Sequence, residues 1–241
     1  SVPNDVNLLS GMYLRPDGTR ILPYQTASTG TLSCMVINAA NAWVANFNAQ
    51  TPGGFSGDSP AVLDSTGVLH ILYTDSDGNI YYQAVLLNNS LGSLHDFGVL
   101  PGEPGYPVIV GAKILWAYAG QGGITPTTGI SVFLGTPLSA PVWSQSGNIF
   151  VQASADGNFP QVGEMTSLFF DGATIWCLAN YGPSDVGGGP DFYLATTQNL
   201  ANPLLGWHDV LIYTAPGGAP WFDTVLVGPI LTIQNGQQLI S

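Results

Sequence analysis

The chain is short of charge. Only three of its 241 residues are basic, Arg15, Arg20 and Lys113, against fifteen acids, for a formal net charge of −12. Nucleic-acid binding needs Lys and Arg to neutralise phosphates, so no nucleic-acid partner is expected. Binding to anionic membrane surfaces fails for the same reason. No apolar run approaches the roughly 18 residues of a bilayer span, so membrane insertion is not expected either. Cysteine is scarce, with Cys34 and Cys177 each inside an apolar run. Without Cys-x-x-Cys spacing, metal binding is not expected; buried free thiols are the first reading and a disulfide the alternative. Apolar segments of helical period are missing, which leaves no room for a helix.

With 45% hydrophobic and 7% charged residues, the solvent face has to be built from Ser, Thr, Asn, Gln and Gly. Such a surface suits secretion or stacking into assemblies. Self-assembly and an extracellular, cell-surface or virion-surface location are therefore expected. No leader is visible in the sequence, and a secreted precursor would have lost it ahead of Ser1. Nothing reads as a linker, so residues 1–241 are expected to form a single domain.

A repeated grammar is the strongest signal present. Ala84-Val85-Leu86 leads through Asn88-Asn89-Ser90 to Asp96-Phe97-Gly98-Val99. Ser131-Val132-Phe133 leads through Pro137 to Pro141 into Val142-Trp143-Ser144. Tyr193-Leu194-Ala195 leads through Asn199 to Pro203 into Trp207-His208-Asp209-Val210. Each is a strand, a short polar connection and a second strand. Hairpins with Gly- or Asp-bearing turns precede them at Ala61 to Tyr73, Val108 to Tyr118 and Ser167 to Leu178. Leu32 to Phe47 and Thr224 to Ile233 add two more. Hairpin after hairpin gives a four-stranded antiparallel unit of roughly 45–60 residues, the size of a propeller blade.

An all-β fold follows, most simply a β-propeller of five four-stranded antiparallel blades starting near Leu32, Ala61, Val108, Ser167 and Thr224. A two-sheet sandwich is the rival, but it has no reason to repeat the connection. The first two starts stand too close together for four strands. The hairpin of Met12 to Leu14 with Arg20 to Tyr24 could complete that first blade. The preferred alternative gives it to the last unit, closing the ring by pairing amino- and carboxy-terminal strands and hiding an open edge.

Carboxylates stand at the heads of these units: Asp58, Glu103, Glu164 and Asp223. The innermost strands of a propeller line its channel, so residues at one end of them converge on one mouth. Like charges held together there split their pKa values, leaving one carboxyl as acid and another as base. Glycosidic bond hydrolysis needs that division. Channel-lining carboxylates without catalysis, or an oxygen-rich site for Ca²⁺ at the mouth, are alternatives; no other cofactor is expected.

Asp-x-Pro opening an early blade, Glu opening a later one, and the Asn-Leu-x-Asn-Pro connection ending in Gly-Trp resemble the five-bladed propeller glycosidases of the arabinanase, xylosidase and invertase type. The resemblance spans roughly Asp58 to Asp223 as a pattern of blades. It implies Asp58 as base, Glu164 as acid and Glu103 between them; Asp223, Trp221 and Tyr106 are the candidate substrate-binding residues. Departures are Ser59 between Asp58 and Pro60, Glu103 where the family has Asp, and Met165-Thr166 after Glu164. Sialidases are six-bladed propellers that clamp a substrate carboxylate with three arginines. This chain has two, so sialidase activity is not expected. Their Ser-x-Asp-x-Gly-x-Thr-Trp box is also missing, and Thr74 to Asn79 reads as a polar hairpin turn.

His70, His95 and His208 lack metal-ligand spacing and read as single packed or surface side chains. Trp116 and Trp176 sit mid-strand in apolar company and read as core, whereas Trp221 reads as exposed near the mouth. Three functions remain open: a secreted hydrolase of neutral sugars, a non-catalytic sugar-binding propeller, and a structural or adhesive subunit. Carbohydrate is the expected partner of the first two.

Overall fold

In a computed structural model the chain folds into five antiparallel sheets and no helix among the described residues. Described are residues 6–8, 11–26, 31–48, 55–56, 59–100, 104–119, 130–147, 149, 167–181, 191–214, 231–234 and 237–240. They fall into two compact units, Ser1–Pro104 and Gly105–Ser241.

The first unit holds two sheets of one design. In the first, β1 (Val6–Leu8) and β2 (Tyr13–Leu14) share one edge of β3 (Arg20–Thr26), which continues into β4 (Thr31–Ile37) and β5 (Trp43–Asn48). In the second, β6 (Phe55–Ser56) and β7 (Ala61–Leu63) share one edge of β8 (Leu69–Asp75), followed by β9 (Asn79–Val85) and β10 (His95–Val99). Each sheet therefore has four strand positions, the first of them interrupted.

This arrangement corrects the first blade start. Leu32 opens the third strand of its sheet, and the amino-terminal hairpin supplies the positions before it. The hairpin does not serve the last unit, because Arg20–Thr26 is paired on both edges within its own sheet. Only residues 27–30 join β3 to β4, and runs joined so closely pair with each other first.

The two sheets meet in one core. Ile21, Leu32 and Cys34 of the first pack with Ala61, Leu69, Ile71, Tyr73, Tyr81 and Val85 of the second. Fully burying one such aliphatic side chain stabilises the fold by about 1.5–3 kcal/mol. Burial pushes the Cys34 thiol up to about 12, so it packs as a small apolar group.

Arg15 is only 3% exposed and is used structurally. Its Nε donates to the Gly67 carbonyl at 2.7 Å, and its two Nη atoms reach Asn89 Oδ1 and the Leu86 carbonyl, each at 2.7 Å. Turns of the second sheet are built alike. Asp64 Oδ1 accepts from the amides of Thr66 and Val68, and Asp75 Oδ1 from those of Asp77 and Asn79. Gly67 and Gly78 complete these turns at φ of 98° and 83°, where a Cβ would be strained. The stretch from Thr74 to Asn79 is thus a polar hairpin turn, as expected.

The second unit holds three sheets. The third sheet is β11 (Val108–Val110), β12 (Lys113–Ala119), β13 (Ile130–Thr136) and β14 (Val142–Gln145). The fourth is β15 (Ser167–Phe170), β16 (Ile175–Tyr181), β17 (Asp191–Thr197) and β18 (His208–Thr214). The fifth pairs β19 (Leu231–Gln234) with β20 (Gln237–Ile240). The expected strand at Thr224 to Val227 lies outside the described residues.

Third and fourth sheets share a core. Leu115, Ala117, Val132 and Leu134 pack with Leu168, Ile175, Cys177 and Ala195. Both cysteines are free and buried. Lys113 Nζ donates to the Leu200 carbonyl at 2.8 Å, holding the β17–β18 connection to the third sheet.

Candidate functional site

Of the six residues expected to form a site, five lie outside the described residues: Asp58, Glu103, Glu164, Asp223 and Trp221. Tyr106 is described. It is 46% exposed just ahead of β11, and the Gly105 amide donates to the Ala117 carbonyl at 3.0 Å, extending the β11–β12 pairing past the strand. Ahead of β7, the Leu72 amide does the same to the Pro60 carbonyl at 2.9 Å.

A second site emerges from the fourth sheet. Side chains alternate across a strand, so neighbouring residues of β16 serve opposite faces. Ile175 and Cys177 enter the shared core, and Trp176 points away from it. Pairing carries that outward row across the sheet as Phe169, Trp176, Thr196 and His208. Where this row meets the β15–β16 turn and the β17–β18 connection, an open groove of about 460 Å³ forms. Thr174, Trp176, Thr196, Gln198, Asn199, Gly206 and His208 line it.

Its walls are held from behind. The indole N–H of Trp176 donates to Asp171 Oδ2 at 2.9 Å. Asp171 Oδ1 accepts from the amides of Ala173 and Thr174 at 2.8 and 2.7 Å. Burial works against the Asp171 charge, but these hydrogen bonds outweigh it and hold the carboxyl below its ordinary value. Gln198 Nε2 donates to Thr174 Oγ1 at 3.3 Å. In the connection, the Asn202 amide donates to Asn199 Oδ1, Thr197 Oγ1 to the Leu205 carbonyl and Trp207 Nε1 to the Pro203 carbonyl. Gly206 closes it at φ 74°. The lining offers an indole, hydroxyls, amides and an imidazole, groups able to hydrogen-bond a polar ligand.

A different cluster has the look of chemistry without the access. His70 is 1% exposed, with Nδ1 2.7 Å from the Tyr82 hydroxyl and Nε2 3.4 Å from Asp64 Oδ2. Burial lowers the His70 pKa, opposed by the hydrogen bond and charge of Asp64. All three groups are buried and serve the second sheet as packing. Among the described residues no three His, Cys, Asp or Glu are grouped to hold a metal.

The reading of Trp176 as core is corrected: it is half-buried and lines the groove, because its face of the sheet is not the one that meets the third sheet. Trp116 is fully buried, as expected. The groove was missed in the sequence. The available signal was Asp171 five residues before Trp176, with Thr196, Gln198 and Asn199 opposite.

No family model and no curated protein matches the sequence. Solved structures do. A mutant of the NanB sialidase from Streptococcus pneumoniae matches at a TM-score of 0.51 and 12% identity, over 74% of this chain and 28% of that one. A mutant of AofleA from Arthrobotrys oligospora matches at 0.53 and 15%, over 88% and 60%. An alpha-L-arabinofuranosidase from Clostridium thermocellum is similar at 0.44 and 11%. The chain thus spans less than two thirds of the length of the first two proteins. The likeness is one of fold alone, and the four-stranded antiparallel sheets fit blades of a β-propeller.

Proposed function

We propose that the chain is a five-bladed, carbohydrate-active propeller that works outside the cell and hydrolyses a neutral glycosidic bond. Asp58 acts as base and Glu164 as acid, Glu103 orients, and Asp223, Trp221 and Tyr106 contact the sugar. One observation supports this reading. β11 and β15 begin their sheets, and β7 is the second piece of the interrupted first position of its own; each is antiparallel to the strand after it, and in the chain Asp58, Glu103 and Glu164 come a few residues before them. Carboxylates gathered at such strand heads divide into acid and base, and the reaction needs no cofactor.

The test is hydrolysis of a panel of aryl glycosides and plant or microbial polysaccharides by the wild type and Glu164→Gln. Loss of the general acid should lower turnover by about 10²–10⁴-fold. Wild-type activity unchanged in the variant would remove Glu164 from the mechanism. A second reading, sugar binding without catalysis, is favoured by the groove on the fourth sheet, whose described lining residues include no carboxylate. Binding on a glycan array with no hydrolysis would select it. Neither binding nor hydrolysis would leave a structural subunit.

A further inference from the structure

We infer that the groove on the fourth sheet is a binding site for one neutral saccharide ring, at the end of β15 away from Ser167. β15 enters the sheet at Ser167 and leaves at Phe170, and the groove sits at the leaving end, between the turn that follows and the β17–β18 connection. The site therefore stands whether or not Asp58 and Glu164 are catalytic.

Its chemistry argues for the ligand. A sugar ring presents an apolar face of C–H groups and a rim of hydroxyls. Trp176 offers a flat aromatic surface whose N–H is already engaged by Asp171, so the ring cannot turn freely. Around it, Thr196, Gln198, Asn199 and His208 supply donors and acceptors that a hydroxyl rim can use. Among the described residues no Asp, Glu, Lys or Arg lines the groove, which gives no attraction there for a charged ligand. The volume of about 460 Å³ falls within the roughly 300–1,000 Å³ of small-molecule sites. The connection is ordered by its own hydrogen bonds, so little freedom is lost when a ligand arrives.

The groove is not a by-product of the repeated connection. On the third sheet the outward row at the same end is Ile114, Gly135 and Trp143. A Cβ on Gly135 would come within 2.9 Å of Ile114, Pro141 and the Trp143 ring, so that position is filled by the protein itself. The fourth sheet has Thr196 and His208 in the corresponding outward row, and the space stays open.

The test is titration of the full chain with L-arabinose, D-xylose, D-galactose, D-glucose and their disaccharides, read from the tryptophan indole N–H resonances. Trp176→Phe identifies the Trp176 signal by its disappearance. At least one saccharide should shift that signal saturably. Gln198→Ala and His208→Ala, both exposed positions, should each weaken binding about tenfold, as expected for a lost ligand hydrogen bond. Glu164→Gln should bind as the wild type does. No saturable shift with any saccharide, or unchanged affinity in both groove variants, overturns the site. Absent hydrolysis with an intact shift overturns only the proposed catalytic function.

Discussion

Trp116 and Trp176 lie in the second strands of adjoining sheets, the first in the middle of β12 and the second near the start of β16, and meet opposite fates. Both point away from the core that the two sheets share. Trp116 pairs across the strand with Phe133, and their rings stack at 4.5 Å and 9°. Tyr118 adds an edge contact at 6.3 Å, and the indole is fully buried. Trp176 pairs with Thr196, anchors its N–H on Asp171 and is left half-buried. The residue type is the same. The neighbours one strand away decide whether it is packing or surface.

The largest expected difference between the two is in stability. Trp116→Ala should cost about 3–5 kcal/mol, the range for deleting a large buried aromatic. Trp176→Ala should cost only about 1–2 kcal/mol, since less apolar area leaves water-free surroundings. Urea unfolding of both variants measures this, and equal losses would break the comparison.

Gly135→Ala should come next, destabilising by about 1–3 kcal/mol through overpacking, because its Cβ would press on Ile114, Pro141 and Trp143. A neutral result would mean that the third sheet has the same spare room as the fourth.

Asp171→Asn should cost about 1 kcal/mol and move the Trp176 indole resonance. It also carries a pH signature. The folded-state pKa of Asp171 is depressed, so its contribution is present above the ordinary value of 3.8 and is lost as pH falls through the folded value. The acid limb of a stability–pH curve should therefore be shallower in Asp171→Asn; identical limbs would remove the carboxylate as the indole anchor. Smallest of all, His208→Ala should change stability by no more than about 0.5 kcal/mol, as for an exposed side chain. A larger thermal shift would show His208 to be packing.

Much of the fold was legible locally. The hairpins β4–β5, β8–β9, β13–β14 and β17–β18 could be read from apolar runs and their Asn-, Asp-, Gly- or Pro-bearing connections. Their grouping was harder to read. Leu32 looked like a blade start because a third strand and a first strand carry the same apolar pattern, and because β1 and β2 are too short to read as one broken strand. The expected carboxylates, selected by their order in the chain, lie outside the described residues, and of that set only Tyr106 is placed, ahead of β11. The groove depends on pairing. Nothing local joins Trp176 to His208; the register of β16, β17 and β18 does.

By itself the sequence determined an all-β chain of antiparallel hairpins with too little positive charge for phosphate-rich partners. Strand period, turn residues and charge are properties of short segments, and short segments retain them wherever they are placed. Only the tertiary structure decided which face of each sheet is covered. That choice made Cys177 core and Trp176, its neighbour in the chain, the wall of an open groove. Burial is a property of surfaces brought together from distant parts of the chain, and no local pattern contains it.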